Sequence, residues 1–532
     1  MTFPYQGFSF LTRCSSVLLV LICTISTLGA TPPEDVFRMN LQAEPESLDP
    51  GVITGSNEMR LANNIFEGLL SFHPKTLAPV PGIAKSWTIS KDGLHLTFKL
   101  RTSTWSDGSP LTSHDFLVSW RRVLEPSTGA SYASQLFPIL NAEEYHRGQL
   151  KDFTKVGIKA TDPSTLEVTL HAPCPYFLDL CAFVTLFPVP VKLIKKHGEK
   201  WTQPQTIISN GPFVLKERHA RQSVILEPNP LYWDREEVRI SQVKATIIDD
   251  LDTAYRLYLE GELDWLSALP VDKVEEATWH PHYFAMPYMG VYFYRFNVNQ
   301  PPFDDVRVRK ALSLAVDRVS ITRQVLKGGQ QPANFFCPPV GGYTSTVGLN
   351  DNPNLANELL DQAGYQNRED FPEIEIYYNT SESHKRVAEA ISEQWKNTLG
   401  IRTRLRNTEW KTFLTQMKNL EFGICRSSWI GDYGDPNTFF DLFQSESGNN
   451  RTGWKNPRYD ELLKHSQLSQ KKDERLKLFQ TMEKILIEEE FPIFPIYIYV
   501  NRGMLHTRVE GWHANVRDLH PLKYIRLSKV TE

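Results

Sequence analysis

Leu94-His95-Leu96-Thr97-Phe98-Lys99-Leu100 alternates apolar with polar residues, the period-two pattern of a strand with one buried face. Asp107-Gly108-Ser109-Pro110 breaks that pattern. Thr112-Ser113-His114-Asp115 then leads into Phe116-Leu117-Val118-Ser119-Trp120, the start of a capped helix. The same succession recurs along the chain. Thr165-Leu166-Glu167-Val168-Thr169-Leu170 is a second alternating strand. Asp304 to Lys310 opens a helix that continues through Ala311 to Val316. His384 to Leu399 is amphipathic, with Val387, Ile391, Trp395 and Leu399 spaced four apart, and Arg475 to Glu490 carries Leu476, Phe479, Met482 and Ile485 on one stripe. Strands alternating with helices predict an α/β protein with largely covered sheets. No internal repeat or low-complexity tract interrupts it.

A chain of 532 residues exceeds what one hydrophobic core organises, so two or three domains are expected. A net charge of -4 gives no basis for nucleic acid or an anionic membrane as partner. The 20 Tyr and 12 Trp suit either an adaptable recognition surface or the filling of several cores. At the N-terminus Arg13 precedes the apolar run Val17 to Cys23, and small and polar residues follow to Leu28-Gly29-Ala30. The run is shorter than the ~20 residues a membrane span needs. It reads as an export signal over residues 1–30 with the cut after Ala30. This is preferred to a lipid anchor on Cys23, because Ile22 stands where lipoprotein signals carry a small residue. Cys174, Cys181, Cys337 and Cys425 lie beyond the cut. Cys174 and Cys181 are open either to pairing or to staying buried thiols.

Catalytic patterns are missing from the sequence. It contains no HExxH, GxSxG, P-loop, GxGxxG or CxxC, and its His residues show no metal-site spacing. Ser469-Gln470-Lys471-Lys472 matches SxxK only formally, in a charged stretch without the other elements of an acylase. Asp249-Asp250 and Glu488-Glu489-Glu490 read as solvated faces. No catalytic residue, metal ligand or cofactor is expected.

Several stretches, taken in order, carry a resemblance. They are Glu46-Ser47-Leu48-Asp49-Pro50, Phe66-Glu67-Gly68-Leu69-Leu70, Thr104 to Thr112 with Asp115-Phe116, Gly198 to Pro204, and Asn210-Gly211-Pro212-Phe213. The second half adds Pro301 to Arg309, Glu409 to Leu414, and Trp429-Ile430-Gly431-Asp432-Tyr433. From about residue 37 to the end the chain resembles the periplasmic oligopeptide-binding proteins of ABC-type importers, in extracytoplasmic solute-binding family 5. The resemblance implies a two-lobed periplasmic-binding-protein fold with three domains. The first comprises residues 31–66, 192–290 and 501–532, the second, 67–191, is inserted in it, and the third is 291–500. It also implies a periplasmic, monomeric protein. Its partners would be short peptides held between closing lobes, and a membrane permease with its ATPase.

The resemblance assigns roles residue by residue. Asp432 falls where the family pairs an acid with the peptide's α-ammonium. Read locally, it caps a turn in Gly431-Asp432-Tyr433-Gly434-Asp435-Pro436. Ser428, Trp429 and Ile430 fall on the segment that pairs with peptide backbone. Tyr132 falls near the peptide N-terminus, Trp410, Asn379 and Tyr499 line pockets, and Arg426 and His384 face the C-terminal carboxylate, His384 with a share that grows towards acid pH. Met417 and Gln300 stand where tri- and tetrapeptide binders carry further bases, and Thr54 and Arg295 where they carry acids. These departures open a second reading, a receptor for a modified peptide such as a cell-wall peptide or glutathione. An exported hydrolase is the reading from a different class.

Overall fold

The computed structural model describes residues 35–469 and 471–528; residues 1–30, read as the export signal, lie outside them. Among the described residues the largest sheet has eleven strands. One end runs Phe213–His219, Ser223–Pro228, Gln242–Thr246, Val36–Asn40 and Trp265–Leu266. The other runs Ile424–Ile430, Ile374–Asn379 and Thr403–Thr408. Between them lie two long strands, Tyr283–Phe296 and Ile493–Leu505, which pair antiparallel with each other and carry the chain between the two ends. Tyr283–Pro287 faces Val500–Met504, the register then shifts, and Val291–Arg295 faces Ile493–Ile498. Pro287 sits at the break, where its missing N–H ends the ladder. Bulges of this kind bend a sheet and increase its twist.

The alternating stretches form a separate four-stranded antiparallel sheet. Ala84–Ile89, His95–Leu100, Thr165–Thr169 and Ile158–Asp162 follow one another, with His95 opposite Thr169 and Lys99 opposite Thr165. Leu96, Phe98 and Leu100 point into the core, while His95 and Lys99 are exposed. The helix Ser113–Leu124 starts where the sequence places it. Asp115 Oδ2 accepts from the backbone N and the Oγ1 of Thr112, at 2.7 and 2.9 Å, and completes a capping box.

The amphipathic helix is Glu382–Leu399, with Val387, Ile391, Trp395 and Leu399 all buried. They pack with Val308 and Leu312 of the helix Val306–Leu314, and Trp395 Nε1 donates to the Leu312 carbonyl at 2.8 Å. The expected helix Arg475 to Glu490 is instead Lys472–Lys484, followed by a wider turn at Ile485–Glu489. The sequence pattern misses what is buried there besides Phe479 and Met482. Glu483 is 0% exposed and accepts from the backbone N of Phe336 and Cys337 and from the Tyr343 hydroxyl, at 2.8, 2.7 and 2.5 Å. The carboxylate thus satisfies two backbone donors of the loop around Phe336 and Cys337 and ties Tyr343 to it. Cys174, Cys181, Cys337 and Cys425 are all free thiols, and burial pushes Cys174 up to about 12.

Candidate ligand-binding cleft

The strand Ile424–Ile430 is paired along its whole length on one side, with Gly290–Phe296. On its other side only Ile424 and Cys425 have strand partners, Ile376 and Tyr377. Among the described residues no strand takes the outer edge from Arg426 to Ile430, and that edge opens into a cleft. Unpaired backbone donors and acceptors at a sheet edge are a template for an added extended chain.

Of the residues named from the sequence, Tyr132, Trp410, Arg426, Ser428, Trp429, Ile430 and Asp432 line this cleft. Trp429 Nε1 donates to the Thr438 carbonyl at 2.6 Å, which fixes its ring 5.9 Å from that of Tyr132. Tyr132 in turn meets Phe183 edge-on at 5.2 Å. Trp410 Nε1 donates across to Glu58 Oε1 at 3.1 Å. Glu58 is 1% exposed, takes the Glu46 backbone N at 2.9 Å, and leaves Oε2 unpartnered. Burial pushes its carboxyl up. A Cβ at Gly55 would stand 2.0 Å from Glu58 Oε2, so a larger residue there would have to push the Glu58 carboxylate aside.

Asn379, His384 and Tyr499 do not line the cleft; they stand around Arg426. Arg426 donates to Asn379 Oδ1 at 3.2 Å and to the Tyr499 hydroxyl at 2.9 Å, and its guanidinium lies 4.8 Å over the Tyr292 ring. His384 Nδ1 lies 3.4 Å from the Tyr292 hydroxyl. Burial, and then the Arg426 charge, hold His384 well below its usual range. That works against the expectation that His384 gains a share towards acid pH: burial and the neighbouring Arg426 charge both disfavour its protonated ring.

Asp432 closes the other end of the free edge. It is 7% exposed, its backbone N donates to Thr438 Oγ1 at 2.8 Å, and its Oδ2 accepts from Gln135 Nε2 at 3.2 Å. Burial pushes its carboxyl well up, a shift the nearby Arg517 opposes. The cap on this turn comes from Thr438, not from the Asp432 side chain, which points elsewhere. Met417 lines the cleft as expected of a pocket position, whereas Gln300 is exposed in the turn before Phe303, outside it.

Nothing in the sequence pointed to Gln135 as the partner of Asp432, to Arg451 or Arg517 in the cleft lining, or to the Arg60–Asp518 ion pair on the cleft wall. Each comes from a loop or a half-buried helix far from the strand it faces. Arg295 was legible only as a departure from the family pattern.

The chain belongs to the bacterial extracellular solute-binding proteins, family 5, whose model matches residues 78–451. It is 36% identical to the dipeptide-binding protein DppE of Bacillus subtilis, over 93% of this chain and 92% of that one. Its fold matches that of Haemophilus influenzae OppA in complex with RPPGFSPFR at TM-score 0.89 and 32% identity, over 93% and 99% of the two chains. The murein tripeptide binding protein MppA of Escherichia coli, 32% identical, matches at TM-score 0.89 over 93% and 98% of the chains. Its unliganded open form matches only at 0.62, over 93% and 97%. The fold is therefore the two-lobed periplasmic-binding-protein fold, with the lobes set as in the peptide complex rather than as in the open form.

Proposed function

We propose that the chain is the extracytoplasmic substrate-binding protein of an ABC peptide importer. It encloses short peptides between its lobes and delivers them to a membrane permease served by an ATPase. The observation that carries this reading is the unpaired edge Arg426–Ile430, which runs between a buried acid, Asp432, and a buried base, Arg426. An extended peptide satisfies such an edge with its own backbone. Its α-ammonium then meets Asp432 and its α-carboxylate meets Arg426, whose planar fork holds a carboxylate through two bonds. Side chains that differ between peptides are met through water. None of this requires a catalytic group.

The two crossing strands support a first domain of residues 31–66, 192–290 and 501–532, an inserted domain of 67–191, and a third of 291–500, hinged near residues 290 and 500. Export through residues 1–30 to the periplasm and a monomeric working state belong to the same proposal. No helix of the described residues is long and apolar enough to cross a membrane. Titration calorimetry with a tripeptide library, followed by mass spectrometry of the recovered ligand, tests the reading. Saturable heats with intact peptides are expected. Cleaved products would favour a hydrolase, and heats only with modified peptides would favour a receptor for those.

A further inference from the structure

The cleft holds more positive charge than a plain peptide neutralises. Arg60, Arg295, Arg426, Arg451 and Arg517 line it, against Asp432 and Asp518. Arg60 and Asp518 pair with each other. A peptide with neutral side chains brings one ammonium and one carboxylate, so it matches Asp432 and Arg426 and leaves the other guanidiniums as they were.

Two of these are placed to act together. Neighbouring residues on a strand point to opposite faces, and directly opposed residues on paired strands share a face. Arg426 therefore shares one face with Tyr294, and Ser427 shares the other with Phe293, Arg295 and Trp429. Arg295 Nε donates to Ser427 Oγ at 3.0 Å and Nη1 donates to the Asn449 and Asn450 carbonyls. Its Nη2 makes no hydrogen bond among the described residues, although Arg295 is only 2% exposed. Arg451 lies beside it, bonded to Asn449 Oδ1 at 3.2 Å and to the Gly448 carbonyl at 3.4 Å. No carboxylate lies within salt-bridge distance of either guanidinium among the described residues. The proximity of Arg451 and the burial of Arg295 push the latter down to about 9, burial being the larger cause. A second cationic pocket thus sits on the Trp429 face of the edge strand, across from Arg426.

Resting on the peptide-binding reading, we propose that the cleft selects ligands with an acidic side group, whose carboxylate sits on Arg295 and Arg451 while the terminal carboxylate takes Arg426. An anion there accepts the free Nη2 donor and offsets two adjacent buried charges at once. Arg295 and Arg451 set specificity; the backbone edge and Asp432 hold what all peptides share.

Calorimetry with isosteric tripeptide pairs tests this: Ala-Glu-Ala against Ala-Gln-Ala, and Ala-Ala-Glu against Ala-Ala-Gln. In the wild type, Glu should bind at least tenfold tighter than Gln in one of the pairs. The ratio should fall to near one in Arg295→Gln. Because Arg295 also holds two loop carbonyls, Arg451→Gln gives a second reading, with the ratio expected to fall severalfold. Equal affinity for Glu and Gln peptides in both pairs, or a ratio unchanged in both variants, overturns this inference while leaving peptide binding in place. Failure of all four peptides to bind the wild type overturns the peptide reading and this inference with it.

Discussion

Asp432→Asn isolates the amino-terminal anchor. The substitution keeps the shape and the Gln135 hydrogen bond, and it removes only the charge. Breaking a buried ion pair by neutralising one partner costs about 3–5 kcal/mol. The structure points to the lower end of that range at neutral pH. Burial already pushes the Asp432 carboxyl well up, so part of the attraction to an ammonium goes into ionising it. A loss near 3 kcal/mol is roughly a hundredfold in Kd. The sign of the pH dependence follows from the same shift. With a raised carboxyl, the closed cleft holds a proton on Asp432 that the ammonium complex does not. Affinity for free-amine peptides should therefore rise with pH and level off once Asp432 is ionised in both states, while the Asn variant stays flat. The assay is calorimetry on a free-amine peptide and its N-acetyl form, with wild type and variant, over several pH values. Acetylation should remove most of the difference between the two proteins. Binding of the free-amine peptide to Asp432→Asn within threefold of wild type, or an acetylation penalty of equal size in both, would refute the assignment.

Arg426→Ala should weaken binding more than His384→Ala at neutral pH, and amidating the peptide C-terminus should hurt the wild type but hardly the Arg426→Ala variant, read as a coupling energy in a double cycle. Since His384 is held well below its usual range, the His384→Ala loss should not grow between neutral and mildly acid pH, which the same titrations check. Glu58→Gln keeps an acceptor for Trp410 and removes a carboxylate that burial pushes up. Ionised Glu58 is the unfavourable form, so thermal melts should show the variant gaining stability at neutral pH and the gain vanishing as pH falls into the carboxylate range. Tyr176 and Tyr433 stack at 4.7 Å with planes 8° apart, and such pairs contribute about 0.5–1.5 kcal/mol beyond their buried area. Tyr176→Leu should cut peptide affinity roughly two- to tenfold and leave a larger radius of gyration at saturating peptide by small-angle scattering.

What the sequence disclosed is what adjacent residues decide. The Thr112–Asp115 capping box spans four residues, and the buried stripe from Val387 to Leu399 repeats every helical turn, so both can be read without knowing the neighbours. The joining of both halves into one sheet cannot. Nothing within Tyr283–Phe296 marks its partners, and only the strands on either side show that its first part serves one end of the sheet and its last part the other. Asp432 is the sharper case. Local sequence makes it a turn residue, but its side chain bonds Gln135, 297 positions earlier, and nothing near either residue announces the other. Arg295 follows three aromatic-rich positions in a buried strand, where a charge looks like an anomaly until Ser427 and the Asn449 and Asn450 carbonyls are seen around it.

The same buried charges explain why closure and binding form one equilibrium. The lobes stand close to the peptide-complexed arrangement, at TM-score 0.89, and far from the unliganded open one, at 0.62. In this arrangement Arg426 is 6% and Arg295 2% exposed, and among the described residues neither has an opposite charge within salt-bridge distance; Asp432, 7% exposed, has none either and ionises there only against its burial. Taking a charge out of water without a partner is strongly unfavourable. The chain alone therefore resists the arrangement in which its anchors are most buried. The aromatic stack of Tyr176 on Tyr433 and the Trp410–Glu58 bond favour it, but those neutral or half-satisfied contacts supply little against several desolvated ions. A molecule that brings an ammonium to one end of the edge and carboxylates to the other converts each penalty into a pair. It binds the closed arrangement far better than the open one, and that difference is the only quantity by which a ligand moves a conformational equilibrium. A compound of the same size with both ends blocked satisfies the edge but not the anchors, so it should bind without closing the lobes. Scattering with an acetylated, amidated peptide at saturation tests this directly: a radius of gyration equal to that of the free-ended complex would show that backbone pairing, not charge, closes the cleft.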